Sequence, residues 1–164
     1  MGLGPDRRVA SVQLAPFRDE LADELLRMWR ASFEKGVGIT DPHPLAEQRA
    51  YFQREILPCN SVRVALLQDR IVGFAAASRT SVAQLYVRLG FQRRGIGTLL
   101  LDWARSQSEG SLWLYTFARN ANACFFYERS GFEVVARGFE PTWQLEDVKY
   151  EWSVVGQNAR SPHG

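Results

Sequence analysis

Leu85-Tyr86-Val87-Arg88-Leu89-Gly90-Phe91-Gln92-Arg93-Arg94-Gly95-Ile96-Gly97-Thr98 is the stretch that decides how this chain folds. An apolar strand runs into a basic turn punctuated by glycines, and an amphipathic helix follows from about Ile96 to Gln107. The first N–H groups of a helix have no intrahelical acceptor, and the helix dipole adds positive potential beside them. Such a turn suits a phosphate or a pyrophosphate. Gly95 and Gly97 offer no side chain to block a ligand, and Arg93 and Arg94 add charge next to it. No Gly-Lys-Ser/Thr follows, so the turn is not a nucleotide-hydrolase loop. The dinucleotide fingerprint would need a third glycine where Leu100 stands.

Working outward, Ser111 to Ala118 reads as another buried strand, Leu112-Trp113-Leu114-Tyr115-Thr116-Phe117. A helix over 121–130 follows, with Ala123, Phe126, Tyr127 and Ser130 at helical spacing. Asn120 or Asn122 can cap its start, and Gly131 with Phe132 suits its end. Phe125 and Phe126 read as core residues, and Cys124 as a small buried one. The pattern Asn120-x-x-Ala123-x-x-Phe126-Tyr127-Glu128-x-x-Gly131-Phe132 comes one strand after Gln92-x-x-Gly95-x-Gly97. In that order and at that distance the two motifs resemble the GNAT superfamily of acyl-CoA-dependent N-acyltransferases. The close resemblance covers about residues 81–137; the N-terminal half agrees by element order alone.

The resemblance implies an acetyltransferase with acetyl-CoA as cosubstrate. The pyrophosphate would lie over Gln92, Arg93, Arg94, Gly95, Ile96, Gly97 and Thr98. The pantetheine arm would pair with the strand edge at Leu85, Tyr86 and Val87, as an added strand does. A bulge would splay this strand from the one at 112–118, and the acyl group would sit in the opening with the Val87 N–H toward the thioester oxygen. Asn120 matches the asparagine that contacts pantetheine. Tyr127 matches the tyrosine that protonates the departing thiolate. Many relatives carry a glutamate on the central strand where this chain has Ala83, followed by Gln84, and neither side chain can take a proton. The base is then a water or a group from elsewhere, with Glu34, His43 and Glu140 in segments that overhang the acceptor side. Phe33, Phe139 and Trp143 would wall that side, and Glu34, Asp41 and Glu140 would attract a cationic amine.

The 164 residues suit one domain, with an ordered core over about 9–155 and loose tails at 1–8 and 157–164. A net charge of +2 without a long basic run argues against nucleic acid or membrane binding by bulk charge. Cys59 and Cys124 make no disulfide framework, and His43 and His163 are the only histidines, so no metal cluster is visible. With no signal segment and no long apolar run, the default expectation is a cytoplasmic protein.

The remaining elements are a strand at Val9 to Leu14, a helix at about 17–33, a glycine- and proline-rich loop at 36–44, and a helix at about Leu45 to Leu57 stopped by Pro58. Strands at 61–67 and 71–78 form a hairpin around Gln68-Asp69-Arg70, and a strand at 82–88 follows. The last strands run from 132 to 137 and from 147 to 155, with a long turn at 138–146. The order β-α-α-β-β-β-α-β-α-β-β predicts an α/β fold. It is a mixed sheet of about seven strands with helices on both faces, antiparallel early and parallel in the middle, where a helix joins strands 82–88 and 112–118.

The leading functional expectation is transfer of an acetyl group to the primary amine of a small molecule by direct attack in a ternary complex. Alternatives are a protein or peptide amine as acceptor, or an acyl-CoA-binding sensor without turnover. An unrelated nucleotide-binding α/β domain is disfavoured, because the turn has no phosphate-contacting lysine. A homodimer is an admitted assembly.

Overall fold

The computed structural model describes residues 11–155. Along the chain lie β1 (Gln13–Pro16), α1 (Ala22–Val37, entered through a 3-10 turn at Asp19–Leu21), α2 (Leu45–Tyr51, continued by a wider π-type turn at Phe52–Ile56) and β2 (Ser61–Leu67). These are followed by β3 (Arg70–Ala77), β4 (Val82–Val87), α3 (Ile96–Ser106), β5 (Ser111–Phe117), α4 (Ala121–Arg129), β6 (Glu133–Glu140) and β7 (Leu145–Ser153). The element order is the one expected from the sequence. The tails expected to be loose, and the first residues of the strand placed at Val9 to Leu14, lie outside the described residues.

β1-β2-β3-β4 form one antiparallel ladder and β5-β7-β6 another. The two halves meet in parallel at the start of β4 and β5, through the Ser81–Trp113 bridge and a Trp113 N–H bond to the Thr80 carbonyl at 3.0 Å. Beyond that point the strands diverge. An extra residue on β4 marks the divergence: Ala77 pairs with Val82, Ala76 with Gln84, and Ala83 is left over as a bulge. The splay expected of this strand is therefore present, and the bulge is at Ala83.

Three apolar clusters hold the frame. Leu25, Trp29, Phe52, Val64 and Phe74 join α1 and α2 to the first ladder. Leu101, Leu112, Leu114, Tyr127, Phe132 and Tyr150 join α3 and α4 to the second. Ile96 and Leu100 seat α3 on Val72 and Ala75. Each fully buried Leu or Phe contributes about 1.5–3 kcal/mol relative to an exposed one. Gly73 permits the α3 seating, because a Cβ there would lie 3.0 Å from the Tyr86 carbonyl and 3.1 Å from Ile96 and Leu100.

Several boundaries differ from the sequence reading. α1 runs on to Val37, and Gly38 closes it in the left-handed region at φ 77°, its N–H bonded to the Glu34 carbonyl at 2.8 Å. Gly36, assigned to the following loop, lies within the helix. The long turn expected at 138–146 is mostly ladder, since β6 and β7 stay paired as far as Glu140 with Leu145. Phe125 is not a core residue: it is 63% exposed and packs under the Arg129 guanidinium. Helical spacing explains this, because the buried stripe of α4 passes through Ala123, Phe126 and Tyr127 and leaves position 125 on the far side.

Candidate functional site

The Arg88 N–H donates to the Val72 carbonyl at 2.8 Å. Alternate residues of an antiparallel strand face the same partner. Gln84 and Tyr86 therefore turn their peptide groups toward β3, while Leu85 and Val87 turn theirs into the gap beside β5. One of these groups is already taken. The Ser32 hydroxyl donates to the Val87 carbonyl at 2.8 Å. Ser32 is the one buried polar side chain among the described residues, at 7% exposure. It fixes the carbonyl of Val87, while the Val87 N–H, one peptide unit earlier, stays toward the opening. Sequence reasoning missed Ser32, although it continues the Leu25, Met28, Trp29 stripe of α1 as a polar residue on an apolar face.

At the end of β4 the chain turns through Gly90 (φ 86°), Arg93 (φ 64°) and Gly95 (φ 82°) before α3 begins. The Gln92 side chain accepts from the Gly90 N–H at 3.3 Å, bracing the turn. Gly95 is the N-cap and supplies no side-chain acceptor, so the N–H groups of Ile96, Gly97 and Thr98 stay open. A Cβ at Gly95 would meet nothing within 4 Å. Gly97 differs: its Cβ would lie 3.2 Å from the Phe126 ring, so this glycine serves the packing of α3 against α4. The Ile96 side chain is in the core, which leaves only its backbone for a ligand. Arg94 stacks on Phe91 at 5.0 Å, and Arg70 from the start of β3 stacks on the same ring at 5.5 Å. Arg70 is thus a further cation near the turn that local spacing could not reveal. Arg88 is committed elsewhere, to the Ile71 carbonyl at 2.5 Å and Glu24 at 3.1 Å.

Asn120 caps α4 by accepting from the Ala123 N–H at 3.2 Å. Its amide nitrogen lies so close to Gly36 that a Cβ there would be 2.8 Å away. Tyr127 is 6% exposed, among Phe126, Phe132 and Tyr150. Its hydroxyl has no protein partner among the described residues. Burial, with the neighbouring Tyr86 phenol adding to it, raises Tyr127 well above the ordinary phenol value. Burial also pushes Tyr86 up to about 12, while the Trp29 side chain as hydrogen-bond donor works in the opposite direction. Both phenols are therefore neutral donors at any working pH.

On the other face of the splay is a cleft of ≈ 710 Å³. β4 contributes Ala83, Gln84 and Tyr86 to its wall, α1 contributes Trp29, Arg30 and Phe33, and Tyr115 and Phe117 come from β5. Asp41, Glu47, Glu140 and Asp147 place carboxylates around it. Asn120 reaches it too, whereas Tyr127 lies beneath it in the core between the ladders. Of the residues expected on the acceptor side, Phe33, Asp41, His43, Glu140 and Trp143 do line the cleft. Phe139 does not; it is 60% exposed on β6. Glu34 is also off the cleft wall, accepting the Asp41 N–H at 3.3 Å. Tyr51, Tyr115 and Asp147 come from three distant elements and carry no sequence signal.

Among the described residues, no cluster of three or more His, Cys, Asp and Glu could hold a metal ion. Nor is any helix among them long and apolar enough to cross a membrane.

A strand bulged and splayed, ending in a glycine turn at a helix start, is the arrangement that the resemblance to acyl-CoA-dependent acyltransferases implies. The family model for the acetyltransferase (GNAT) domain matches residues 58–134, from just before β2 into β6. Residues 58–134 carry that match to a GNAT acetyltransferase domain. Solved structures agree in fold. YjaB from Escherichia coli, in its apo form, is 22% identical over 87% of this chain and 97% of its own, with a TM-score of 0.72. A GNAT-family acetyltransferase from Staphylococcus aureus Mu50 is 17% identical over 88% and 99%, with a TM-score of 0.71. The PaiA N-acetyltransferase from Thermoplasma acidophilum, solved in complex with coenzyme A, is 16% identical over 87% and 99%, with a TM-score of 0.67.

Proposed function

We propose that this protein transfers the acetyl group of acetyl-CoA to the primary amine of a small molecule by direct attack in a ternary complex. One observation carries the reading. The free edge of β4 at Leu85 and Val87 opens between the α3 turn on one side and a cleft of ≈ 710 Å³ on the other. That volume lies in the range of small-molecule sites. Its aromatic lining suits an apolar body, and its carboxylates suit an ammonium group.

The residues present fit the cosubstrate. The open N–H groups of Ile96, Gly97 and Thr98, with Gly95 unobstructed, would hold the pyrophosphate, and Arg93 and Arg94 would neutralise it. Leu85 and Val87 would pair with the pantetheine arm, and the Asn120 amide would meet it from α4. Acetyl-CoA supplies the acetyl group as a thioester. The Val87 N–H, on the same residue whose carbonyl Ser32 holds, would donate to the developing oxyanion. The Tyr127 hydroxyl would give a proton to the departing sulfur.

Initial-velocity kinetics with acetyl-CoA and an amine test the direct attack. Double-reciprocal lines that intersect support a ternary complex. Parallel lines, the mark of an acyl-enzyme, overturn it.

A further inference from the structure

β4 offers Ala83 and Gln84 where a proton acceptor is wanted, and neither can serve. Resting on the amine-acceptor reading, we propose that His43 takes the proton from the ammonium form of the acceptor, with Asp41 and Arg30 as its positioning residues. The three come from α1 and the loop after it and meet at the mouth of the cleft. Asp41 accepts the His43 backbone N–H at 2.9 Å, and the same carboxylate oxygen lies 2.7 Å from His43 Nδ1. Arg30 stands 3.6 Å from the other Asp41 oxygen and donates to the His43 carbonyl. Arg30 is itself fixed from α2, where Gln48 accepts its Nε–H at 3.1 Å.

This arrangement does more than lock a loop. A carboxylate on Nδ1 assigns the hydrogen of the neutral ring to that nitrogen and leaves the lone pair on Nε2. Nε2 has no hydrogen-bond partner among the described residues, and the ring lines the same cleft as Ala83, Gln84 and Tyr86. Trp143 holds the ring edge-on, with centroids 5.3 Å apart, and rests in turn on Phe33 at 5.2 Å. Asp41 is 11% exposed while the His43 side chain is 44% exposed. The orienting group is thus sheltered, and the proton acceptor has a route to water.

Charged groups face the dyad from each surrounding element. Arg30 and Glu34 come from α1, Glu47 from α2, Arg54 from the π-type turn after it, Glu140 from β6 and Asp147 from β7. Carboxylates outnumber the arginines, which draws a cationic amine to this end of the cleft.

The proton balance closes. An ammonium N–H bond breaks toward His43 Nε2, directly or through one water. The freed nitrogen lone pair forms the C–N bond as the C–S bond breaks. The Tyr127 hydroxyl gives its proton to sulfur, the second amine proton restores that hydroxyl, and the imidazolium returns its proton to solvent. The products are an amide, a thiol and one proton.

The test is kcat/KM against pH with two amines of different pKa, for the wild-type protein, His43→Gln and Asp41→Asn. Wild type should break at one pH common to both amines. His43→Gln should lose that shared break and climb about tenfold per pH unit until each amine's own pKa, falling on the order of 10²-fold below wild type at neutral pH. Asp41→Asn should move the shared break while acetyl-CoA affinity stays constant. Wild-type breaks that track each amine, or a His43→Gln profile identical to wild type, overturn the role of His43 and leave the acetyltransferase reading standing. A wild-type protein that acetylates no amine overturns the acceptor reading itself.

Discussion

Tyr127→Phe removes one oxygen and keeps the ring among Phe126, Phe132 and Tyr150. The hydroxyl has no protein partner among the described residues, so its loss orphans nothing. Stability should stay within about 0.5 kcal/mol of wild type. The kinetic cost follows from acidity. An ordinary phenol at ~10 and an ordinary thiol at ~8.5 differ by about 1.5 units, an uphill transfer of ~2 kcal/mol. Burial raises Tyr127 further. A thiolate leaving in comparably dry surroundings would gain proton affinity as well, which would narrow the mismatch. A positioned general acid of this kind contributes about 10²-fold, or ~2.7 kcal/mol of barrier. The assay pairs kcat for thiol release with the calorimetric Kd of acetyl-CoA. A hundredfold lower kcat at unchanged Kd is expected. Full kcat across the pH range would remove Tyr127 from the proton path.

Ser32→Ala should cost about 0.5–1.5 kcal/mol in urea unfolding and lower kcat more than it changes the acetyl-CoA Kd, because it frees the Val87 carbonyl and with it the backbone on which the Val87 N–H is carried; unchanged kcat would show that the Val87 N–H needs no such support. Gly97→Val should destabilise by overpacking against Phe126 by about 1–3 kcal/mol, a melting-temperature loss of about 2–12 °C, and a wild-type melting curve would refute the packing role. Alkali should unfold the protein. The folded Tyr86 holds its proton to about 12 against an ordinary 10.0, so the native state binds more protons and stability falls as pH rises through that window, by about 2.7 kcal/mol for this group. A flat stability between pH 10 and 12 in denaturant titrations would contradict that burial.

Much of the β4–α3 turn and of α4 was legible because it is local. A strand, a turn and a helix start within fourteen residues place their own N–H groups, and Asn120 through Phe132 form one helix with its caps. Exceptions arose where tertiary contacts intervene. Gly97 reads as an open turn residue until Phe126 is seen against it. The extent of β6 was hidden because all but Glu140 of its residues are exposed and its ladder carries a bulge at Val135, so no period of two survives. α1 outran its expected end because Gly36 breaks propensity but suits the approach of Asn120. The cleft was only partly legible: the overhanging loop could be guessed, but Arg30, Tyr51, Tyr115 and Asp147 come together only through the tertiary fold.

The most direct test of the account incubates the purified protein with acetyl-CoA and a panel of small primary amines, aromatic and aliphatic, and measures free thiol together with the acetylated amine. The expected result is amine-dependent thiol release, equimolar with N-acetyl product, for amines with an apolar body. Tight acetyl-CoA binding with no release above hydrolysis for any amine would contradict it and leave an acyl-CoA-binding protein without turnover.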